Sequence, residues 1–384
     1  MTVDEHRELR RSVRRFLETA SPSPEVRRVM ETGAGYDRAV WQRLAGELGL
    51  TGLIVPEEYG GAGAGVAELA VVMEEMGRAL MCGPYLSSAV LAAAVLLRSG
   101  DARACAELLP GIADGSMIAT VAVAEGNHDV RDLARVRASA RRDGDLHRLY
   151  GEKTLVIDGH TAALVLVAAR TEAGLSLFAV DGAADGMLRE ELPALDPTRK
   201  LARIALDGVF ARLIGTEGAA GPALEEALDL AAVALAAEQT GGAERCLELS
   251  VEYAKTREQF GRPIGAFQAI KHKCADMLLE VQAAKAAVEY AAGLWGQDDA
   301  GAERGLAAST ARAHCSDAYV HAAGETVQIH GGIGFTWEHD AHLYLRRAKS
   351  SALLLGSTSW HLERVAAEIG LAPTPTSPKE SVHA

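Results

Sequence analysis

The chain has 384 residues, a net charge of −13, and few aromatics among abundant Leu, Ala and Val. That length supports two or three domains around a large core, and the composition favours a mostly helical protein. The acidic balance argues against nucleic acid and membrane surfaces as main partners, but a local arginine can still grip one anionic small ligand.

The five cysteines (Cys82, Cys105, Cys246, Cys274, Cys315) are scattered without a CxxC pair. This predicts a reduced, cytoplasmic chain without a disulfide framework. The opening MTVDEHRELRR lacks the apolar stretch of a secretion signal. The longest apolar run, 89–97, stops at Arg98 and is too short to span a bilayer.

In chain order, residues 1–118 read as helical. Leu9, Val13, Phe16 and Leu17 share one helical face, and further helices are predicted over about 37–48 and 65–80. The Pro- and Gly-rich VPEEYGGAGAG between them reads as a loop. Residues 119–215 change pattern, with short β-prone runs at 117–124, 146–157, 163–170, 175–180 and 202–211, which predicts a small antiparallel sheet domain. Residues 222–370 return to helical periodicity, with helices predicted over Pro222–Phe260, Ala266–Trp295, Ala302–Ile329, Asp340–Leu355 and Trp360–Ile369. The Pro- and Ser-rich tail, 371–384, is expected to be disordered.

Two segments carry chemistry. In YAKTREQFGRPIGAFQAIKHKCADM (253–277) Gly261 and Pro263 separate two helices. Arg257, placed in the last turn of the first, has a planar guanidinium suited to a phosphate. Phe260 offers a flat face and Gln268 an amide at the start of the next helix. An isolated Arg near such a turn is usually only a capping residue. In ETVQIHGGIGFTWEHD (325–340), Gly331, Gly332 and Gly334 let the backbone approach a ligand and form an anion nest. The glycines follow a helix rather than a strand, so this is not a Rossmann fingerprint.

Together these two motifs, with LGLTGLIVPEEYGGAG (48–63), GEKTLVIDGHTA (151–162) and DPTRKLARIALDGV (196–209), resemble the acyl-CoA dehydrogenase family over about residues 37–369. The resemblance implies an α+β, mostly α fold, with an N-terminal helical domain, a middle antiparallel β domain and a C-terminal four-helix bundle, assembled as tetramers. It implies FAD lying across a subunit interface, held by Arg257, Gln259, Phe260, Gln268, Gln328, His330, Gly331 and Gly332. It implies α,β-desaturation of an acyl-CoA thioester, with electrons passed to an electron-transfer flavoprotein.

The chain departs from the family where catalysis is expected. The position of the usual Glu base is Leu355, and the alternative position, about Ala231, is followed by Ala232. Nearby Asp229 is expected to be solvated on another helical face. Ala124 replaces a hydroxyl residue in AVAEGNHDV, and Leu155 and Ile157 stand where the resemblance places a tryptophan and a hydroxyl residue beside the flavin ring. Residues for the chain's own flavin ring are thus lost, while those for a neighbour's diphosphate are kept. Two readings follow. The chain is the subunit of a heterotetramer that completes the FAD site of a homologous, Glu-bearing partner. Alternatively, it is a homo-oligomer using another base or chemistry, for which Ser357, Thr358 and Glu338 are candidates. A scaffold that binds no flavin conflicts with the retained phosphate-binding segments. His339 and His342 lack the further ligands of a metal site and read as solvated or hydrogen-bonded, Trp337 and Trp360 read as packing residues, and Gly241–Gly242 marks a close helix contact.

Overall fold

The structure, a computed structural model, describes residues 2–297 and 300–371. Of the tail expected to be disordered, residues 372–384 lie outside the described residues.

The N-terminal region is helical: α1 (Val3–Ala20), α2 (Ser23–Met30), α3 (Arg38–Gly46), α4 (Val66–Arg78), a π-helix (Tyr85–Ala92) running into α5 (Ala93–Arg98), and α6 (Ala102–Ala113). Thr2 and Glu5 cap α1 reciprocally, and its Val13, Phe16 and Leu17 enter the core.

Seven strands follow: β1 (Ala119–Ala122), β2 (Ser139–Asp143), β3 (Leu146–Ile157), β4 (Leu164–Thr171), β5 (Gly174–Asp181), β6 (Met187–Leu192) and β7 (Leu201–Ile214). β5 pairs with both β4 and β7, so the sheet curls back on itself. Most pairs are antiparallel as expected, but β1 and β2 both run parallel to β4. A bulge in β3 between Lys153 and Val156 turns Leu155 outward, with a left-handed φ of +54°.

The C-terminal helices are α7 (Ala220–Thr256), α8 (Gln268–Leu294), α9 (Gly301–His330), α10 (Ala341–Ser351) and α11 (Thr358–Glu368). The 37 residues of α7 span roughly 55 Å. Gln239 bonds Ser316 and, farther along, Ser250 bonds Thr326, so α7 and α9 run parallel and end side by side. A β-carbon on Gly241 would lie 1.8 Å from the Glu74 carbonyl oxygen, and one on Gly77 would lie 1.9 Å from that of Glu238. The paired glycines thus let α4 and α7 cross in backbone contact, the close approach expected from the sequence.

Two helix ends differ from expectation. The helix expected to reach Phe260 stops at Thr256, because Glu258–Gln259 and Arg262–Pro263 pair as a short hairpin. Arg257 is therefore the C-cap, not part of the last turn. The helix expected over Asp340–Leu355 stops at Ser351, and residues 352–355 form a turn.

Candidate functional site

The two sequence motifs, about seventy residues apart, meet because α7 and α9 end together. The Tyr253 ring stacks on His330 with centroids 4.3 Å apart. Arg257 lies one turn beyond Tyr253, and Gly331 follows His330 directly with φ +62°. The N-terminus of α8, with Gln268 as its first residue, opens at the same end. Two helix C-termini make this end partly negative; Arg257 and the free N–H groups of α8 offset that. Arg257, Gln259, Phe260, Gln268, Gln328, Gly331 and Gly332 are all exposed, Phe260 to 91%. Arg257 and Lys271 make no ion pair among the described residues. His330 differs from this set: it is buried, and its Nδ1 donates to the Thr326 carbonyl at 2.8 Å.

The second location is the cleft between the sheet and the bundle. Leu91, Val121, Ala124, Asp129, Leu155, Ile157 and Leu353 to Leu355 enclose a cavity of about 60 Å³, far below the ~300–1,000 Å³ of a ligand pocket. Leu355 is 4% exposed and holds a left-handed φ of +56°. Its carbonyl accepts from Arg131 Nε at 3.0 Å and from His361 Nε2 at 3.1 Å. Arg312 donates to the carbonyls of Ser351 and Leu354. The turn is thus fixed by two guanidinium groups and an imidazole, and it presents a leucine.

Asp229 is not solvated, contrary to expectation. It is buried, and its Oδ1 accepts from Arg131 Nη1 and Arg364 Nη1, both at 2.6 Å, while Oδ2 accepts from Arg364 Nη2 at 2.9 Å. A carboxylate whose two oxygens are committed to two cations is a counterion rather than a general base. The one-wet-face argument fails for α7 because α4, α8, α9 and the sheet pack around it. Ala231 is fully buried. Ser357 caps α11 through Trp360 N, and Thr358 Oγ1 donates to Asp317; neither these residues nor Glu338 lines the cavity. Burial, with Arg131 and Arg312 nearby, holds His361 neutral, its pKa lowered to about 2. Burial also lowers Lys153 to about 8, though its Nζ donates to Glu125 at 2.6 Å and to the Val123 carbonyl.

The exposed shoulder fits the charged middle of a dinucleotide: it offers a free guanidinium, an amide, and glycines where an added β-carbon on Gly331 or Gly332 would meet nothing within 4 Å. The chain's own cleft does not fit a flavin ring, being small and lined mainly by aliphatic groups. Sequence reasoning passed over Arg131 and His361, because a loop arginine and a helix histidine carry no spacing signal. His339 is hydrogen-bonded as expected, its Nδ1 accepting from the Ala341 N–H, whereas His342 is buried with Nε2 unpartnered; Trp337 is 56% exposed, and its ring packs against His342, 4.5 Å away, and against Arg346. Among the described residues no group of three or more His, Cys, Asp or Glu is placed to hold a metal, and no helix is long and apolar enough to cross a membrane.

Family models for the acyl-CoA dehydrogenase N-terminal and C-terminal domains match residues 3–116 and 221–370. The chain is similar to acyl-CoA dehydrogenase IpdE2 of Mycobacterium tuberculosis, 36% identical over 375 residues, covering 97% of this chain and 100% of that protein. Similar solved structures include the Tcur3481-Tcur3483 steroid ACAD (35% identity, TM-score 0.86, 96% of this chain and 98% of that one). They also include the ChsE4-ChsE5 complex from Mycobacterium tuberculosis (29% identity, TM-score 0.87, 97% of this chain and 99% of that one). The chain belongs to the acyl-CoA dehydrogenase family of oxidoreductases.

Proposed function

We propose that the protein takes part in FAD-dependent α,β-desaturation of an acyl-CoA thioester as the subunit without a catalytic base, completing the FAD site of a homologous partner. The observation that carries this is the division between its two locations: the exposed shoulder keeps Arg257, Gln259, Phe260, Gln268, Gln328, Gly331 and Gly332, with His330 buried beneath them, and the internal cleft is closed around Leu355.

On this reading Arg257 meets a phosphate oxygen through its planar fork, which a carboxamide or ammonium does not match in geometry. Gly331, whose own N–H closes α9 onto the Gln328 and Val327 carbonyls, and Gly332 leave the space in which the diphosphate approaches the backbone, and Gln268 and Gln328 add amide contacts. Phe260 covers an apolar part of the bound molecule. FAD held here would supply the hydride acceptor, and the proton would go to a carboxylate of the partner, since Leu355 has no lone pair and Asp229 is bound by two arginines. The two-component names of similar solved structures, Tcur3481-Tcur3483 and ChsE4-ChsE5, support a mixed assembly. An electron-transfer flavoprotein is the proposed electron acceptor.

The test is to purify the chain alone and together with a homologue carrying Glu at the position of Leu355, then compare flavin content and dye-coupled acyl-CoA oxidation. The proposal expects turnover only from the mixed complex. A yellow, fully active homo-oligomer would refute it.

A further inference from the structure

The glycine loop has an internal fastening that the functional reading does not use. The loop begins after His330, the last residue of α9, and ends at His339, just before α10. The two imidazoles that bracket it lie against each other, centroids 4.3 Å apart with planes 39° apart. On its other face His330 stacks on Tyr253, 4.3 Å away and 25° from parallel. Three rings from α7, α9 and the end of the loop thus form one column. The loop lies against its base, since a β-carbon on Gly334 would come within 2.9 Å of both the His330 β-carbon and the Val327 carbonyl oxygen.

The hydrogen bonds fix the protonation state the column needs. His330 Nδ1 faces the Thr326 carbonyl, so it carries a proton, and in the neutral ring Nε2 is the bare nitrogen. His339 Nδ1 accepts from the Ala341 N–H at 3.0 Å, so that nitrogen must be unprotonated. A proton on His339 Nδ1 breaks this contact at the start of α10, and charging both rings places like charges face to face. The surroundings offer limited relief. Tyr253 and Arg245 face the column from α7 and Arg27 from α2; Asp340, His342 and Arg346 are on the α10 side. Asp340, the one carboxylate among these, is already paired with Arg27 at 2.6 Å. Burial, its largest cause, lowers both histidines below the usual 6.5, and the partner ring adds to this for His330.

We propose that His330 and His339 are positioning residues: as neutral stacked rings they staple the two ends of the 331–338 loop and hold its N–H groups in place. This rests on the reading of that loop as a diphosphate cradle, and it adds that the cradle is held at neutral pH and loosens in acid. The sign follows from the geometry: neutral rings stack and bond as observed, so acidification below the ordinary histidine range works against the closed loop.

Amide hydrogen exchange of the full chain, without flavin, tests the staple directly. Rates in peptides covering 331–340 are corrected for the intrinsic pH effect and compared at about pH 7.5 and about pH 5.5. The wild-type loop should exchange about tenfold faster, after correction, at the lower pH. His339→Phe keeps a flat ring in the stack that cannot titrate, at the loss of the Ala341 contact, so its exchange should change less than the wild type's between the two values. His339→Ala should exchange fast at both. A wild-type loop with the same corrected rate at both pH values overturns the proposal, as does a His339→Phe loop that follows the wild-type pH dependence. Flavin retention in the mixed complex is a separate readout: if the His339→Ala loop loosens but FAD is held as before, the diphosphate reading fails and the staple stands.

Discussion

Replacing Asp229 with alanine removes the acceptor of three hydrogen bonds that tie the middle domain, α7 and α11 together. The two arginines it leaves behind are not equivalent. Arg364 has a quarter-exposed side chain and can turn to water. Arg131 has a side chain 3% exposed; it keeps its bonds to the carbonyls of Leu355 and Leu228 but loses its counterion. Leaving one buried charge uncompensated costs about 3–5 kcal/mol, and the Arg364 contribution adds about 1 kcal/mol or less because water replaces it. Arg364→Ala is the matched control. It leaves the Asp229–Arg131 pair intact and should cost about 1 kcal/mol. Denaturant unfolding of the full chain, each variant against wild type at one protein concentration, gives both numbers. Equal costs, or a loss under about 1 kcal/mol for Asp229→Ala, would refute the assignment of Asp229 as the counterion that holds Arg131 under the 352–355 turn.

Leu355→Glu should confer no dye-coupled oxidation on the chain alone, although a positioned base is worth about 10²–10⁴ in rate; turnover approaching that gain would show that the cleft accepts flavin and thioester. His361 is held neutral by burial, so the unfolded chain takes up a proton there below pH 6.5 while the folded chain does not. Stability should therefore be fully present above that pH and fall below it, by up to about 1.4 kcal/mol per pH unit from this group; pH-dependent unfolding of His361→Gln should show a correspondingly shallower slope. Gly241→Ala should lower stability by about 3 kcal/mol or more, since its β-carbon meets the Glu74 carbonyl. Gly332→Ala, whose β-carbon meets nothing, should unfold within about 0.5 kcal/mol of wild type.

The order helical, sheet, helical was legible because the apolar period changes from helical to alternating and back. The strands over Ser139–Asp143 and Met187–Leu192 were missed because SARRD and MLREEL are charged and half exposed. The meeting of TREQFG with QIHGGIGF was legible only through family resemblance, for nothing local in either segment says that α7 and α9 run parallel. The vacancy at Leu355 was readable directly, since a leucine cannot accept a proton. The fate of Asp229 was not, because it depends on Arg131, nearly a hundred residues away, entering α7's surroundings from a loop. The His330–His339 stack escaped for a similar reason: nine residues is no helical or strand period, and the contact exists because the glycine loop doubles back.

The central claim is that this chain supplies the grip on a dinucleotide whose chemistry occurs in a partner. The most direct measurement is the flavin content of the mixed complex with Arg257→Ala introduced in this chain only, read by absorbance of the purified complex. Loss of one charged hydrogen bond of about 1.5–3 kcal/mol predicts flavin binding weakened by about ten- to a hundredfold, with the assembly itself intact. Unchanged flavin content and affinity in that complex would contradict the account.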